Sequence, residues 1–309
     1  MQNSYLEEML KQGTPYNQIK LLDTEKYAKL VEKLKNEPER KAVKMNVPYL
    51  DNLAGGFEAG RLYVLTAPTK QGKTTLAQTF MYNLAKAGTP SMIFSYEMGW
   101  REITSKFWLM DGQKFPATDL PMFVPLEMHS GGGDLQLQWM FEAMAKAKLE
   151  NNVQFVVIDH LHFLLPLKDF NNTSFIIGGI VRELKKMSVM LNLPILLIAH
   201  LQKIKSDKAP ELSDIRDSSF IAQEADVVFI MYREIKKNLS TKVTEQDDFE
   251  EEVFTQKAVL SVGANRIDGS SRRVKLWHDG TKFIAYENQD KTEEVKQKEF
   301  VQFAKKVIH

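Results

Sequence analysis

Residues 62–87 constrain the fold most strongly, because they read as a strand, a short loop and a helix in immediate succession. Leu62–Thr66 is a run of apolar and β-branched residues, and apolar residues recur with helical spacing from Leu76 onward. The loop between them contains Gly72-Lys73-Thr74. In such a unit, backbone N–H groups of the loop and of the helix N-terminus hold phosphate oxygens. The predicted nucleotide-binding residues are Ala67, Pro68, Thr69, Lys70, Gln71, Gly72, Lys73, Thr74 and Thr75.

Within this loop, Lys73 is predicted to reach the β- and γ-phosphates, and the Thr74 hydroxyl to hold Mg²⁺. One position departs from the motif, because Ala67 stands where the first glycine is expected and alanine cannot adopt every conformation of glycine. The alternative is an ordinary helix that begins with Gly-Lys-Thr. The preceding strand favours the phosphate-binding interpretation, so ATP or another NTP, with Mg²⁺, is the predicted cofactor.

Further apolar strands are predicted at Ser91–Tyr96, Phe155–Ile158, Ile195–Ala199 and Val227–Met231, with helical segments between them. Continuous apolar runs are typical of parallel strands buried on both faces of a sheet. This alternation of strands and helices predicts an α/β fold with a mostly parallel central sheet flanked by helices.

The later part of the chain has a different pattern. Glu234–Gln256 is rich in acidic residues and is predicted to be a solvated excursion. Strands are then predicted over Ala258–Val262, Arg273–Trp277 and Lys282–Tyr286, and Asp279-Gly280 is typical of a hairpin turn between the last two.

Polar residues stand where three predicted strands end. They are Glu97, Asp159 and His200. In a parallel α/β sheet, ligands bind at the carboxyl ends of the strands. We expect Asp159 to hold the Mg²⁺ shell, Glu97 to orient or deprotonate the attacking water, and His200 to hydrogen-bond the γ-phosphate. The alternatives are a helix-capping aspartate, a solvated glutamate and a structural histidine.

Composition limits the other possibilities. The 309 residues carry a net charge of +1, so any contact with nucleic acid must come from a local patch rather than a global basic field. The absence of cysteine excludes disulfides and thiol catalysis and fits a reducing compartment. No apolar run approaches the ~20 residues of a membrane span, and we expect no membrane partner.

Taken in order, these motifs resemble the ATPase domain of ring-shaped replicative DNA helicases, the DnaB family and the related bacteriophage helicase-primases. The segment around Glu97 resembles the one that carries the catalytic glutamate, and Asp159 lies in a Walker B-like strand. His200 is similar to a phosphate sensor. The remaining matches are Asp214–Ser218, Gln223–Val228, Tyr232-Arg233, Asn265-Arg266 and Val274–Leu276.

The resemblance implies a RecA-like fold, a homo-oligomeric, hexameric ring with nucleotide sites between subunits, and single-stranded DNA in the central channel. Arg266 would then be a finger that acts on a neighbouring subunit's nucleotide. A primase, polymerase or loader is a further candidate partner, and the expected location is the cytoplasm, that of the host if the chain is phage-encoded. The loop lysines that would grip DNA, or otherwise belong to a solvated loop, are Lys203, Lys205 and Lys208.

Two departures from the family are visible. Ala264 stands where the family commonly has a lysine two residues before the finger, so one positive charge is missing. No primase domain or large N-terminal domain is found, so we expect either that loading and priming come from elsewhere or that the chain is a fragment or a minimal phage version. The predicted domains are a helical arm or linker over 1–44, the RecA-like ATPase domain over 45–288 and a C-terminal tail over 289–309 that could be helical.

Other functions remain open at this point. One is a RecA-like recombinase or a circadian-type ATPase. Another is a DNA-binding protein or ring scaffold without unwinding activity, for which Ala264 is the favourable feature. The N-terminal arm could pack on its own core or dock on a neighbouring subunit.

Overall fold

The structure is a computed structural model that describes residues 42–46, 48–112, 121–126, 133–165, 173–200, 209–214, 218–238 and 251–286. These residues belong to one unit that begins at Ala42. Residues 1–41 and 287–309 lie outside the described residues, so the predicted domain boundaries stay predictions. No helix within the described ranges is both long and apolar enough to cross a membrane.

The helices and strands follow one another along the chain as predicted in outline. The helices are α1 (Pro48–Ala54), α2 (Lys73–Lys86), α3 (Trp100–Met110), α4 (Gly133–Asn151), α5 (Thr173–Met190) and α6 (Ser218–Glu224). The strands are β1 (Leu62–Ala67), β2 (Ser91–Ser95), β3 (Met122–Phe123), β4 (Phe155–Asp159), β5 (Ile195–His200), β6 (Val227–Asn238), β7 (Glu251–Asn265), β8 (Arg273–His278) and β9 (Phe283–Ala285).

All the strands join in one sheet in the order β3-β2-β4-β5-β1-β6-β7-β8-β9. Neighbours from β3 to β6 are parallel, and neighbours from β6 to β9 are antiparallel. The predicted mixed α/β fold with a mostly parallel core is therefore confirmed, and the antiparallel strands extend it on one side.

The parallel strands β1, β2, β4 and β5 are buried on both faces, as their continuous apolar runs predict. Along β1, Tyr63 and Leu65 pack into the cluster that contains α2 and α3. Leu62 and Val64 point to the opposite face, into the cluster that contains α4 and α5. Successive side chains of a strand point to opposite faces, so an uninterrupted apolar run serves two helical layers at once.

A buried carboxylate fixes the start of β1 against its neighbours. Asp226, just before β6, accepts a hydrogen bond from the Leu62 N–H at 2.8 Å. Its two oxygens also lie 3.0 Å from Arg61 and 2.7 Å from the Lys185 ammonium group on α5. These contacts join β1, β6 and α5 at the amino-terminal edge of the parallel strands.

The prediction of a solvated excursion over Glu234–Gln256 is wrong at both ends. β6 continues to Asn238, β7 begins at Glu251, and these two residues pair across an antiparallel ribbon. Strand pairing is made by backbone hydrogen bonds, so it does not require the apolar alternation on which the prediction depended. The short strand β3, inside a stretch rich in Pro and Gly, was also not predicted.

Candidate functional site

The phosphate-binding loop connects β1 to α2 at the carboxyl edge of the sheet. Gly72 immediately precedes α2 with φ +96°, a left-handed conformation that favours glycine. Ala67, the unusual first residue of the motif, is the last residue of β1 and pairs with His200. Because the strand conformation needs no glycine, alanine fits there without strain. The N-terminus of α2 has no side-chain cap, which suits an anion.

Lys73 is folded over this loop. Its ammonium group donates hydrogen bonds to the carbonyls of Ala67 at 3.1 Å and Pro68 at 3.2 Å. The residue is only 6% exposed, and burial lowers the pKa of the ammonium group to about 8. The negative charges of Asp159 and Glu97 act in the opposite direction and raise this pKa. A buried cation held by neutral carbonyls would gain a stronger partner in a phosphate oxygen.

Thr74 and Asp159 meet directly. The Thr74 hydroxyl donates a hydrogen bond to Asp159 Oδ2 at 2.8 Å. Asp159 is 1% exposed, and burial raises its pKa to about 6, although the Thr74 hydrogen bond and the Lys73 charge act in the opposite direction. A hydroxyl and a carboxylate oxygen side by side, next to the loop, are the hard oxygen ligands that Mg²⁺ prefers. The pair therefore fits the predicted metal position.

Glu97 lies two residues beyond the end of β2, and its side chain is 56% exposed. Ser95, the last residue of β2, pairs with Asp159, which brings this strand end beside the metal position. One Glu97 oxygen, Oε2, lies 3.9 Å from His160 Nδ1. The structure thus brings Glu97, Asp159 and Lys73 to one place, with the glutamate on the solvent side where water can reach it.

His200 ends β5 next to the loop, and it belongs to a group of histidines. Its ring centroid lies 4.2 Å from that of His160 and 5.5 Å from that of His162. Burial, followed by the Lys73 charge, lowers the pKa of His200 to about 4, so its ring is neutral at pH 7. A neutral ring can still donate one N–H to a phosphate oxygen.

His160 and His162 were missed by the sequence analysis. His160 follows Asp159 directly and His162 lies two positions further on, in Asp159-His160-Leu161-His162, so the pattern was visible in the strand-end motif itself. The peptide bond between Asp159 and His160 is cis. Burial lowers the pKa of His160 to about 3, with the neighbouring histidines and Lys73 acting in the same direction.

The antiparallel strands support the loop from the other side. A Cβ added to Gly72 would lie 3.0 Å from Phe283 Cζ of β9. The Phe283 N–H donates to Thr79 Oγ1 of α2 at 3.1 Å. The Gln71 side-chain oxygen accepts a hydrogen bond from the Arg233 N–H of β6 at 2.8 Å. These contacts were not predicted, because they join parts of the chain more than 150 residues apart.

Arg266 lies elsewhere. Its N–H donates to the Asp226 carbonyl, and the Asp226 N–H donates to the Leu62 carbonyl, so Arg266 is level with the start of β1. The phosphate-binding loop lies beyond the other end of this strand, five residues and about 16 Å away at roughly 3.3 Å per residue. The exposed side chain donates to the Ala222 carbonyl at 2.9 Å. Within one chain, the structure does not bring Arg266 to Lys73.

Two other predictions can be placed. Ala264 is half-buried and packs against the apolar cluster on the α4 and α5 face of the sheet. The predicted DNA-binding residues Lys203, Lys205 and Lys208 lie outside the described residues.

Comparison with known proteins supplies the family. The model of the DnaB-like helicase C-terminal domain matches residues 128–288, just over half of the chain. The chain belongs to this family. A model described as an AAA domain also matches residues 31–206. The resemblance to the DnaB family is thereby confirmed, and nucleotide binding goes with this family of ATPase domains.

Individual relatives agree with the DnaB-like assignment. The replicative DNA helicase DnaB of Mycoplasma genitalium is 28% identical over 255 residues, 74% of this chain and 52% of that protein. A solved ATPase domain superposes with a TM-score of 0.64 at 20% identity, covering 86% of this chain and 99% of that domain. A DnaB-like replicative helicase, described with its interactions with primase, gives 0.65 at 21% identity over 91% of this chain and 70% of its own. The chain spans about half the length of the first of these.

Proposed function

We propose that this chain is the motor of a replicative DNA helicase, which hydrolyses ATP or another NTP between subunits to translocate on single-stranded DNA and unwind duplex. The observation that carries the proposal is that the candidate site residues lie in two separate places within one chain. The residues that would bind and cleave the nucleotide lie at the carboxyl edge of the parallel strands, and Arg266 lies at the amino-terminal edge. One chain holds both parts but cannot bring them together.

The residues at the carboxyl edge support hydrolysis of a phosphoanhydride. Lys73 and the loop N–H groups would hold the phosphates, and Thr74 with Asp159 would hold Mg²⁺, which neutralises phosphate charge when bound. Glu97, exposed beside them, would accept a proton from the attacking water. His200, neutral at the end of β5, would donate a hydrogen bond toward the γ-phosphate.

The position of Arg266 at the amino-terminal edge of the parallel strands supports assembly into a ring. Arg266 is proposed to act at a γ-phosphate, and because it lies at the opposite edge of its own sheet, the loop that it serves would belong to another copy. Contacts of this kind are heterologous, and they close into a ring when the rotation between subunits allows it. A homo-oligomeric ring, hexameric by analogy with the family resemblance, is therefore part of the proposal. So is a cytoplasmic location.

The proposed DNA binding is supported by the family and by the lysines that follow β5 in the sequence. These lysines, Lys203, Lys205 and Lys208, are proposed to contact DNA phosphates. If they do, replacing all of them by alanine weakens binding of single-stranded DNA and lowers the log–log salt dependence by ~0.7 for each lost contact. An unchanged slope assigns them to a solvated loop. Primase is a candidate partner because one structural relative is described with it.

Nucleotide hydrolysis is the first test of the proposed motor. The wild-type chain is expected to release phosphate from ATP, faster with single-stranded DNA present. Glu97→Gln keeps the shape and loses the base, so it should still bind ATP while turnover falls ~10²–10⁴-fold. The matched control is Glu102→Gln, which changes an exposed glutamate of α3 paired with Lys106. Equal turnover in the Glu97 and Glu102 variants would remove Glu97 from the mechanism.

Unwinding is the second test, and it separates the motor from the alternative of a DNA-binding ATPase or ring scaffold. A forked duplex with one labelled strand should be separated by the wild-type chain in the presence of ATP. Lys73→Ala should abolish separation because the phosphates lose their buried cation. ATP hydrolysis without strand separation, under conditions where the ring is assembled, would favour the alternative.

A further inference from the structure

We propose that Glu97, Asp159 and His160 form a binding site for a divalent cation that accepts nitrogen ligands, such as Mn²⁺, Co²⁺ or Zn²⁺, in the chain without nucleotide. Each residue offers one ligand atom, and the three atoms all lie within 4.8 Å of one another. This site goes beyond the nucleotide chemistry proposed above, since it uses an imidazole ligand that an ATP-bound Mg²⁺ does not need.

The distances fit a single cation. Three ligand atoms spread evenly around one such cation at ~2.0–2.2 Å lie about 3.5–3.8 Å apart, so the three side chains need to approach one another by up to about 1 Å to bind it. Glu97 can supply that movement, because its side chain is 56% exposed and lies 3.9 Å from His160 Nδ1. That separation is too long for a hydrogen bond.

His160 provides the independent sign of a ligand. The residue is 8% exposed, and its Nδ1 atom has no hydrogen-bond partner among the described residues. Buried polar nitrogens in native proteins are almost always satisfied, so an orphan atom that faces a carboxylate indicates a missing partner. An imidazole nitrogen is a common metal ligand in proteins.

The ligand set selects the class of cation. Two carboxylates and one imidazole suit Mn²⁺, Co²⁺ and Zn²⁺ better than Mg²⁺, which prefers oxygen ligands throughout. Asp159 is shared with the Thr74–Asp159 pair, so the two metal positions cannot be independent. If Glu97 is the base of the proposed motor, a cation bound here would be coordinated by the carboxylate that accepts the proton. The binding itself does not depend on the motor function.

The experiment titrates Mn²⁺ into the full chain without a histidine tag or nucleotide, followed by electron paramagnetic resonance. Pulsed spectra of the wild type should show ¹⁴N coupling from one directly bound imidazole. His160→Asn should remove this coupling and weaken binding at least tenfold. The control, His162→Asn, changes the neighbouring ring, 5.5 Å away, and should keep both the coupling and the affinity.

Glu97→Gln gives a second measurement that does not disturb a buried residue. It should weaken Mn²⁺ binding about tenfold and leave the ¹⁴N coupling at saturation. Absence of ¹⁴N coupling in the wild type, its persistence in folded His160→Asn, or an unchanged affinity in Glu97→Gln would each overturn the site. Because no nucleotide is present, these outcomes leave the proposed hydrolysis untouched and are distinguishable from its failure.

Discussion

Replacing Arg266 by alanine tests whether the nucleotide site is completed by a second copy of the chain. The side chain is exposed, and in the single chain it makes a hydrogen bond to the Ala222 carbonyl. Losing a surface hydrogen bond costs about 1 kcal/mol or less, so the variant should fold. It should also bind ATP, because the phosphate-binding loop lies about 16 Å away at the other end of β1.

Turnover should nevertheless fall steeply. An arginine delivered to the γ-phosphate in the transition state is worth ~10³–10⁵ in rate. Ala264 is half-buried and carries no charge that could share this role, so we expect the loss of turnover in Arg266→Ala to lie toward the upper end of this range. The assay is steady-state phosphate release without DNA, with ATP affinity measured separately. Arg273→Ala, which changes an exposed arginine at the start of β8, is the matched control and should retain turnover.

Mixing then decides whether the arginine acts on a neighbour. Lys73→Ala lacks a working loop, and Arg266→Ala lacks the finger, so neither should be active alone. In a ring formed by random mixing of equal amounts, about one interface in four joins an intact loop to an intact finger. Activity should recover to no more than about a quarter of the wild-type rate. Full activity of Arg266→Ala in a confirmed oligomer, or no recovery despite subunit exchange, would refute the assignment.

Three further changes test the site and its supports. Burial raises the pKa of the Asp159 carboxylate from 3.8 to about 6 in the folded protein, so the stability of the wild type falls as pH rises from about 4 to 6. Asp159→Asn removes this ionisation and should therefore stabilise the nucleotide-free protein at pH 7.5 by up to about 3 kcal/mol. Urea unfolding should show this gain shrinking at pH 4, and equal stability at pH 7.5 would contradict it. Gly72→Ala should lose about 1–2 kcal/mol to its left-handed conformation and more to the Phe283 contact. Gly88→Ala, with φ +74° and open space around its Cβ, should show the first loss alone. Asp226→Asn leaves a partly buried lysine without its counter-ion and should lower the free energy of unfolding by about 1–3 kcal/mol, whereas an unchanged urea midpoint would show that the ion pairs add nothing.

Local sequence was enough to locate the phosphate-binding loop and the strands around it. The strand before Ala67, the glycine at position 72 and the helix after it follow from short-range patterns, and observed strand ends lie within one residue of those predicted for β1, β2, β4 and β5. Asp159 could be found in the same way because it ends a buried apolar run. These features depend on residues within about ten positions of one another.

The tertiary structure decided what the local patterns leave open. The order of strands in the sheet placed Phe283 against Gly72 and brought His160 to Glu97. The antiparallel pairing of β7 with β6 turned Arg266 toward the amino-terminal edge, away from Lys73 in the same chain. Strand order and pairing are set by backbone hydrogen bonds and packing between distant segments, which no sequence window contains. The phosphate-binding loop could therefore be predicted from sequence, whereas only the fold decided that Arg266 lies far from this loop in the same chain.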